Sequence, residues 1–356
     1  MTIQRLGGAK RQSNIEALRL LSMLMVLNLH SFWGYDHNHG SMIFQTIDFF
    51  RESTSICAVN AFILISGYFG IKWKLKSFFN LIFQCFFYSF VVYGVAVAVG
   101  ALDFSKSEFI ECFKALFNSW GFIASYIALY FLSPLLNAFA DKSSSREMLI
   151  YIVILFFAEN FIFLSFGTIN FCLLYLIGRY VRKTEMPERL RLNPTYAYWI
   201  TTLLIFITVF ALYLTFHWDA ERMCNLVIAY SYSSPLVILQ AVFLFLIFSR
   251  FNFESKFVNW CASSCLAIFL IHMHPAIKYI GYYNFTESLY ERPVLENILG
   301  LLLIMSIVFF GSILFDKVRI ALSDITYKTL TFICNKIPQK FFSLDVYMPR
   351  KVLELN

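Results

Sequence analysis

The chain has 356 residues, 59% of them hydrophobic and only 14% charged, with a net charge of +7 and a mean hydropathy of +0.66. A soluble domain carries about 25% charged residues, so the composition excludes a water-soluble enzyme and points to an all-α integral membrane protein. The length holds about ten crossings of roughly 20 residues with short loops, and no soluble catalytic domain beside them.

Residues 1–14 are a short basic leader with Arg5, Lys10 and Arg11. The first apolar helix, Ile15 to Phe32, is too long for a signal peptide, contains Arg19 and lacks a small-residue cleavage site, so it is expected to be retained. It carries Glu16, Arg19 and His30. Such groups cost several kcal/mol inside a bilayer unless they are paired or face a cavity. His30 follows Arg19 by eleven positions, which brings it back to within about 20° of the same face, about 16 Å along the axis. Glu16 lies one turn before Arg19, within reach of a side-chain pair. The plain alternative is that Arg19 snorkels to the headgroups and His30 sits at the far interface.

The loop from Trp33 to Gly40 contains Asp36, His37 and His39, which lack the third or fourth ligand that a metal site needs; no metal is expected. Ile43 to Phe50 is too short to span and reads as interfacial. The second span, Ser53 to Ile71, ends in Ser66-Gly67, a pair that lets another backbone approach closely, and Lys72, Lys74 and Lys76 follow. A third span covers Ser77 to Ala101, and residues 102–118 read as an amphipathic surface helix. The fourth, Trp120 to Ala140, is expected to kink or end at Pro134. Spans five and six, Met148 to Phe166 and Thr168 to Tyr180, form a hairpin at Gly167. Span seven runs from Tyr196 to Phe216, with a loop from His217. Span eight covers Asn225 to Phe248, with a polar patch at Ser231–Pro235. Span nine, Val258 to Ile277, places His272 deep and His274 at the interface. Span ten, Leu295 to Leu314, precedes a basic tail with an interfacial helix expected at Thr329–Phe342. The eight cysteines show no CxxC pair or metal spacing and read as small core residues. No repeat or Ser/Pro linker appears, so the chain reads as one domain, with a helical core at about 15–315 and a basic cytoplasmic tail at 316–356.

The Arg–His spacing after an I-E-x-L-R opening resembles the membrane-bound acyltransferase-3 family. VNAFILISGYF (Val59–Phe69) resembles its second helix, especially in polysaccharide-modifying members. SPLLN (Ser133–Asn137), LLYLIGRYVRK (Leu173–Lys183) and the Leu270–His272 L-I-H also resemble family motifs, and Tyr126, Tyr130 and Asn137 resemble family positions. The resemblance implies a ten-helix core that moves an acyl group, usually acetyl from acetyl-CoA, onto sugar hydroxyls, with Arg19 and His30 at the centre of catalysis.

Orientation is read from charge alone. With both termini in the cytoplasm, ten spans place 22 Lys and Arg residues inside and 6 outside, with Arg19 inside the helix. This arrangement puts Arg19 near the cytoplasm and His30 toward the outer side. Acetyl-CoA is then expected as a donor substrate, with no permanently bound cofactor. Arg19, Lys72, Lys74 and Lys76 are candidates for its phosphates. His30 is either the general base for an attacking hydroxyl or a covalent acyl carrier. Glu16, Ser66, Gly67, Tyr68 and His272 are candidate supporting residues. The acceptor is expected to be a bacterial surface glycan or its lipid-linked precursor, in a multi-pass protein of the cytoplasmic membrane. A flippase for a lipid-linked sugar is the competing class. The paired broken helices of an inverted-repeat transporter are not seen in the sequence. A scaffold for glycan assembly would need no buried Arg or His.

Overall fold

The computed structural model describes residues 12–31, 41–118, 120–163, 167–216 and 230–336. The basic leader, the His37/His39 loop, the loop from His217 and the chain end after Lys336 lie outside them. In chain order the helices are α1 (Ser13–His30), α2 (Met42–Ser55), α3 (Ala58–Phe69), α4 (Leu75–Ala98), α5 (Lys106–Asn118), α6 (Gly121–Lys142) and α7 (Ser145–Phe157), which continues as a π-helix at Ala158–Phe163. Then come α8 (Thr168–Lys183), α9 (Met186–Arg189), α10 (Pro194–Phe216), α11 (Pro235–Ser249), α12 (Lys256–Ala262), α13 (Cys265–His272), α14 (Asn284–Ser288) and α15 (Val294–Lys336). No strand occurs among the described residues.

Four of these helices are long and apolar enough to cross a membrane: α4, α6, α10 and the Val294–Leu322 part of α15. They turn large apolar side chains outward, including Phe79, Leu135, Leu203 and Leu303. In a membrane protein such surfaces meet lipid, and helices satisfy their backbone groups internally.

The chain divides into two compact units, one within Lys10–Ile313 and one holding the residues from Leu314 on. In the first unit α1 is central and packs against α2, α3, α11, α12 and α13. Its start is fixed by Asn14, whose Nδ2 donates to the Phe248 carbonyl at 3.0 Å, and by the Ser13 hydroxyl, which accepts from the Ser255 N–H at 2.9 Å. In the second unit the helix runs on past the expected end of span ten, and Asp316 and Arg319 pair at 2.6 Å. The expected break before a separate tail helix is absent up to Lys336. No Gly or Pro interrupts residues 312–336, and an i,i+3 ion pair keeps the charges compatible with a continuous helix.

The expected second span is two helices. The chain turns at Ile56–Cys57, between α2 and α3. A helix end buried away from water must find partners for its last carbonyls. Here side chains from three other helices supply them. Asn28 Nδ2 donates to the Arg51 carbonyl at 3.1 Å, Gln240 Nε2 to that of Ser53 at 2.8 Å, and the Tyr198 hydroxyl to that of Thr54 at 2.6 Å. The expected ninth span is likewise broken, at Ser263–Ser264 between α12 and α13.

Two further expectations are corrected. Of the kink or end expected at Pro134, the end does not occur, and α6 continues to Lys142. Proline has no N–H for the carbonyl four residues back, and the Ser133 hydroxyl takes that Tyr130 carbonyl instead, at 2.7 Å. His274, expected at the interface, is fully buried by the protein. Its Nδ1 accepts from the Ala276 N–H at 3.3 Å, and its Nε2 donates to the Ser89 carbonyl at 2.8 Å. Both ring nitrogens are thus used, Nε2 in holding α4 to the end of α13 and Nδ1 in closing the turn that follows.

A close backbone contact joins α3 to α8. A Cβ built on Gly67 would lie 2.2 Å from the Tyr175 carbonyl oxygen, and one on Gly178 would lie 2.5 Å from that of Leu64. Only glycine permits this approach, as at small-residue crossings in membranes.

Candidate active site

His30 ends α1 and His272 ends α13, and both are buried, at 8% and 3% exposure. His30 Nδ1 lies 2.8 Å from His272 Nε2. His272 Nδ1 lies 2.6 Å from the Ile268 carbonyl. A carbonyl only accepts, so His272 carries its proton on Nδ1 and, as a neutral ring, presents a lone pair at Nε2. His30 then donates from Nδ1, which leaves its Nε2 as the basic nitrogen. The backbone of α13 thus sets the tautomer of both rings. Phe269 and Tyr282 flank His272 edge-on, with ring centroids 5.9 and 5.7 Å away. The Tyr282 hydroxyl donates to the Leu27 carbonyl at 2.7 Å, which ties that wall to α1.

Beside the pair lies an ionic network from α2. Arg51 donates through Nη1 to Asp48 Oδ1 at 2.8 Å, through Nε to Asn28 Oδ1 at 3.0 Å, and through Nη2 to the Ser31 hydroxyl. The Tyr290 hydroxyl donates to Asp48 Oδ2 at 2.7 Å. One guanidinium therefore clasps the last turn of α1 on either side of His30.

At the other end of α1, Arg19 Nη1 donates to Glu16 Oε1 at 2.8 Å. The carboxylate is buried, whereas the arginine side chain is 36% exposed. The Arg19 carbonyl accepts from the Cys265 thiol at 3.5 Å, at the start of α13. The same helix that carries His272 thus also meets the Arg19 end of α1.

The acyltransferase domain of the acyltransferase-3 family matches residues 12–317. The chain belongs to that family. It is a membrane acyltransferase. No curated protein and no solved structure matches it.

Not every candidate residue of this acyltransferase gathers at the histidine pair. The Ser66 hydroxyl donates to the Phe62 carbonyl of its own helix at 3.0 Å, and Gly67 serves the crossing with α8. The Tyr68 ring packs on Phe245 at 4.8 Å, with the Arg182 guanidinium 6.0 Å from its centroid. Lys72 and Lys74 are exposed on the segment after α3, and Lys76 is exposed on the first turn of α4. That segment is held by family-like residues that had no evident role in the sequence. The Tyr130 hydroxyl accepts from the Lys74 N–H at 2.8 Å and donates to the Lys74 carbonyl at 2.9 Å. Asn137 Nδ2 donates to the Ile71 carbonyl at 2.9 Å. The Tyr175 hydroxyl accepts from the Ile71 N–H and donates to Asn137 Oδ1.

Sequence reasoning missed Asp48 and Arg51, because Arg51 counts there only as a cation of an outer segment. The available signal was their i,i+3 spacing in a short apolar helix. Glu52 was missed for the same reason. It lies on α2, which is not among the helices long enough to cross, and burial, then the Asp48 charge, push its carboxyl up to about 8. Tyr230 and Tyr232 face it from the turn before α11. Between the ordinary carboxylate range and about 8 the folded protein keeps a proton that the unfolded chain has lost. Stability therefore falls as pH rises from about 5 to 8, by at most about 1.4 kcal/mol per pH unit. Glu52→Gln should remove this slope, read as melting temperature against pH in detergent; an unchanged slope assigns the titration to another group.

Proposed function

We propose that this acyltransferase moves an acetyl group from acetyl-CoA to a hydroxyl of a bacterial surface polysaccharide or its lipid-linked precursor. On this reading it is a multi-pass protein of the cytoplasmic membrane with about ten crossings and both termini inside. The observation that carries the chemistry is the His30–His272 pair, with its proton acceptor set by the Ile268 carbonyl. His30 Nε2 takes the proton of the attacking hydroxyl. The oxygen bonds to the thioester carbon, the carbon–sulfur bond breaks, and the departing thiolate takes the proton from His30. His272 accepts from His30 Nδ1 throughout and so favours the imidazolium that forms between these steps. Such general-base assistance contributes about 10²–10⁴-fold. This geometry favours proton transfer over a covalent acyl-histidine, because the second imidazole stabilises a protonated first one.

Arg19 is assigned to the anionic donor at the cytoplasmic end, with Glu16 holding its guanidinium and Lys72, Lys74 and Lys76 adding exposed positive charge. The test uses inverted membrane vesicles. Labelled acetyl-CoA added to the exposed cytoplasmic face should label glycan, and Arg19→Lys, which keeps the charge but loses the planar fork, should raise the KM for acetyl-CoA about tenfold or more. Surface glycan from cells lacking the protein should lose base-labile acetyl esters. Labelling without any CoA requirement would overturn the donor assignment.

A further inference from the structure

A second buried polar cluster lies away from the histidines, where the π-helix after α7, the start of α8, α3 and the turn before α11 come together. Glu159, in the π-helix, is 2% exposed, and its Oε2 meets no hydrogen-bond partner in the protein. Asn170, on the first turn of α8 at the same end of that hairpin, is fully buried, with both Oδ1 and Nδ2 unpartnered. Asn60 on α3 donates from Nδ2 to the Tyr232 carbonyl at 2.8 Å, but its buried Oδ1 has no partner. The next residue, Ser233, donates to Asn160 Oδ1 at 2.8 Å and so ties the turn to the π-helix. The cluster reaches toward the first site, because the Tyr230 hydroxyl donates to the Phe49 carbonyl of α2 at 3.0 Å.

Buried polar atoms are almost always paired, and each exception calls for an explanation. These exceptions share one region and one chemistry. Amide Nδ2 groups donate; amide and carboxyl oxygens accept. Sugar hydroxyls do both. A hydrocarbon chain would leave every one of these atoms unpaired, and an anion would leave the amide oxygens of Asn170 and Asn60 unpaired. A π-helix inside an α-helix is itself a frequent mark of functional sites.

We propose that this cluster, centred on Glu159, Asn170 and Asn60, is a carbohydrate subsite that binds the polyhydroxylated part of the acceptor. It rests on the acyl-transfer reading only for the nature of that acceptor. The sugar supplies the missing hydrogen-bond partners, and the π-helix carries one wall of the subsite through Glu159.

The test uses the full-length protein in detergent, with surface glycan of the producing cell stripped of acyl esters by mild base. Glycan half-saturation and melting temperature are measured for wild type, Glu159→Gln and Asn170→Leu. Unpartnered groups serve a ligand at the expense of stability, so Asn170→Leu should melt at or above the wild-type temperature. Both variants should need about tenfold more glycan or more. Unchanged half-saturation in both, or no glycan binding by wild type, overturns the subsite; so does a fall in melting temperature with unchanged binding, which marks a structural group. If wild type transfers acetyl but the variants bind glycan normally, only the subsite fails. If wild type binds glycan through these residues yet transfers nothing from acetyl-CoA, the subsite stands and the acetyl-transfer reading fails.

Discussion

His30→Ala should yield a folded, inserted protein whose acetyl transfer falls by about 10²–10⁴-fold, the usual cost of losing a general base. His272→Ala should retain part of the rate, because His30 keeps its Nε2 but loses the partner that fixes its tautomer and shares its charge. The pH profile separates the two roles. With His272 in place the rate should rise with a single deprotonation, that of the pair as a unit, since rings 2.8 Å apart titrate together. In His272→Ala the midpoint should move. If both histidines were only anchors at the membrane surface, His30→Gln would be near neutral. Transfer per molecule of inserted protein, measured for all three variants, decides between these accounts. Wild-type turnover in His30→Ala would remove the histidine pair from the mechanism.

The largest effect on folding is expected at the α3–α8 crossing. Gly67→Ala and Gly178→Ala each place a carbon against backbone rather than against a side chain that could turn away. Overpacking a core costs about 1–3 kcal/mol when neighbours can shift, and two helix backbones cannot shift independently. Each variant should therefore lose ~3 kcal/mol or more, read as a large drop in the temperature at which half the detergent-solubilised protein precipitates. Gly94→Ala and Gly121→Ala are the controls, because a Cβ at either position meets nothing within 4 Å. Equal melting of all four variants would contradict the crossing.

The apolar runs, the amphipathic 102–118 segment and the hairpin at Gly167 were legible because hydropathy and punctuation act locally. The shared face of Arg19 and His30 was legible because helix periodicity alone fixes it. Other features depended on distant partners. Nothing within Ser53–Ile71 marks a break at Ile56–Cys57, since the carbonyls it frees are taken by Asn28, Tyr198 and Gln240. Pro134 reads as a kink or a stop, and that the helix runs on past it shows only once Ser133 is seen to occupy the Tyr130 carbonyl. His274 reads as interfacial because Pro275 follows it, yet its ring is placed by Ser89 on another helix. Asp48 and Arg51 look like loop charges until Asn28, Ser31 and Tyr290 close around them. The encounter of His30 with His272 spans 242 positions, and only the family-like L-I-H motif hinted at it.

The break between α2 and α3 also constrains how the protein is made. Its carbonyls at Ser53 and Thr54 find their partners 187 and 144 positions further along the chain. A ribosome adds about 5–20 residues per second, so these groups emerge many seconds before Gln240 and Tyr198 exist. Until then they must stay hydrated or borrow temporary partners at the insertion machinery. Residues 42–69 consequently reach their final seat only after α10 and α11 have been made, and the docking of this early segment onto those late ones comes late in biogenesis.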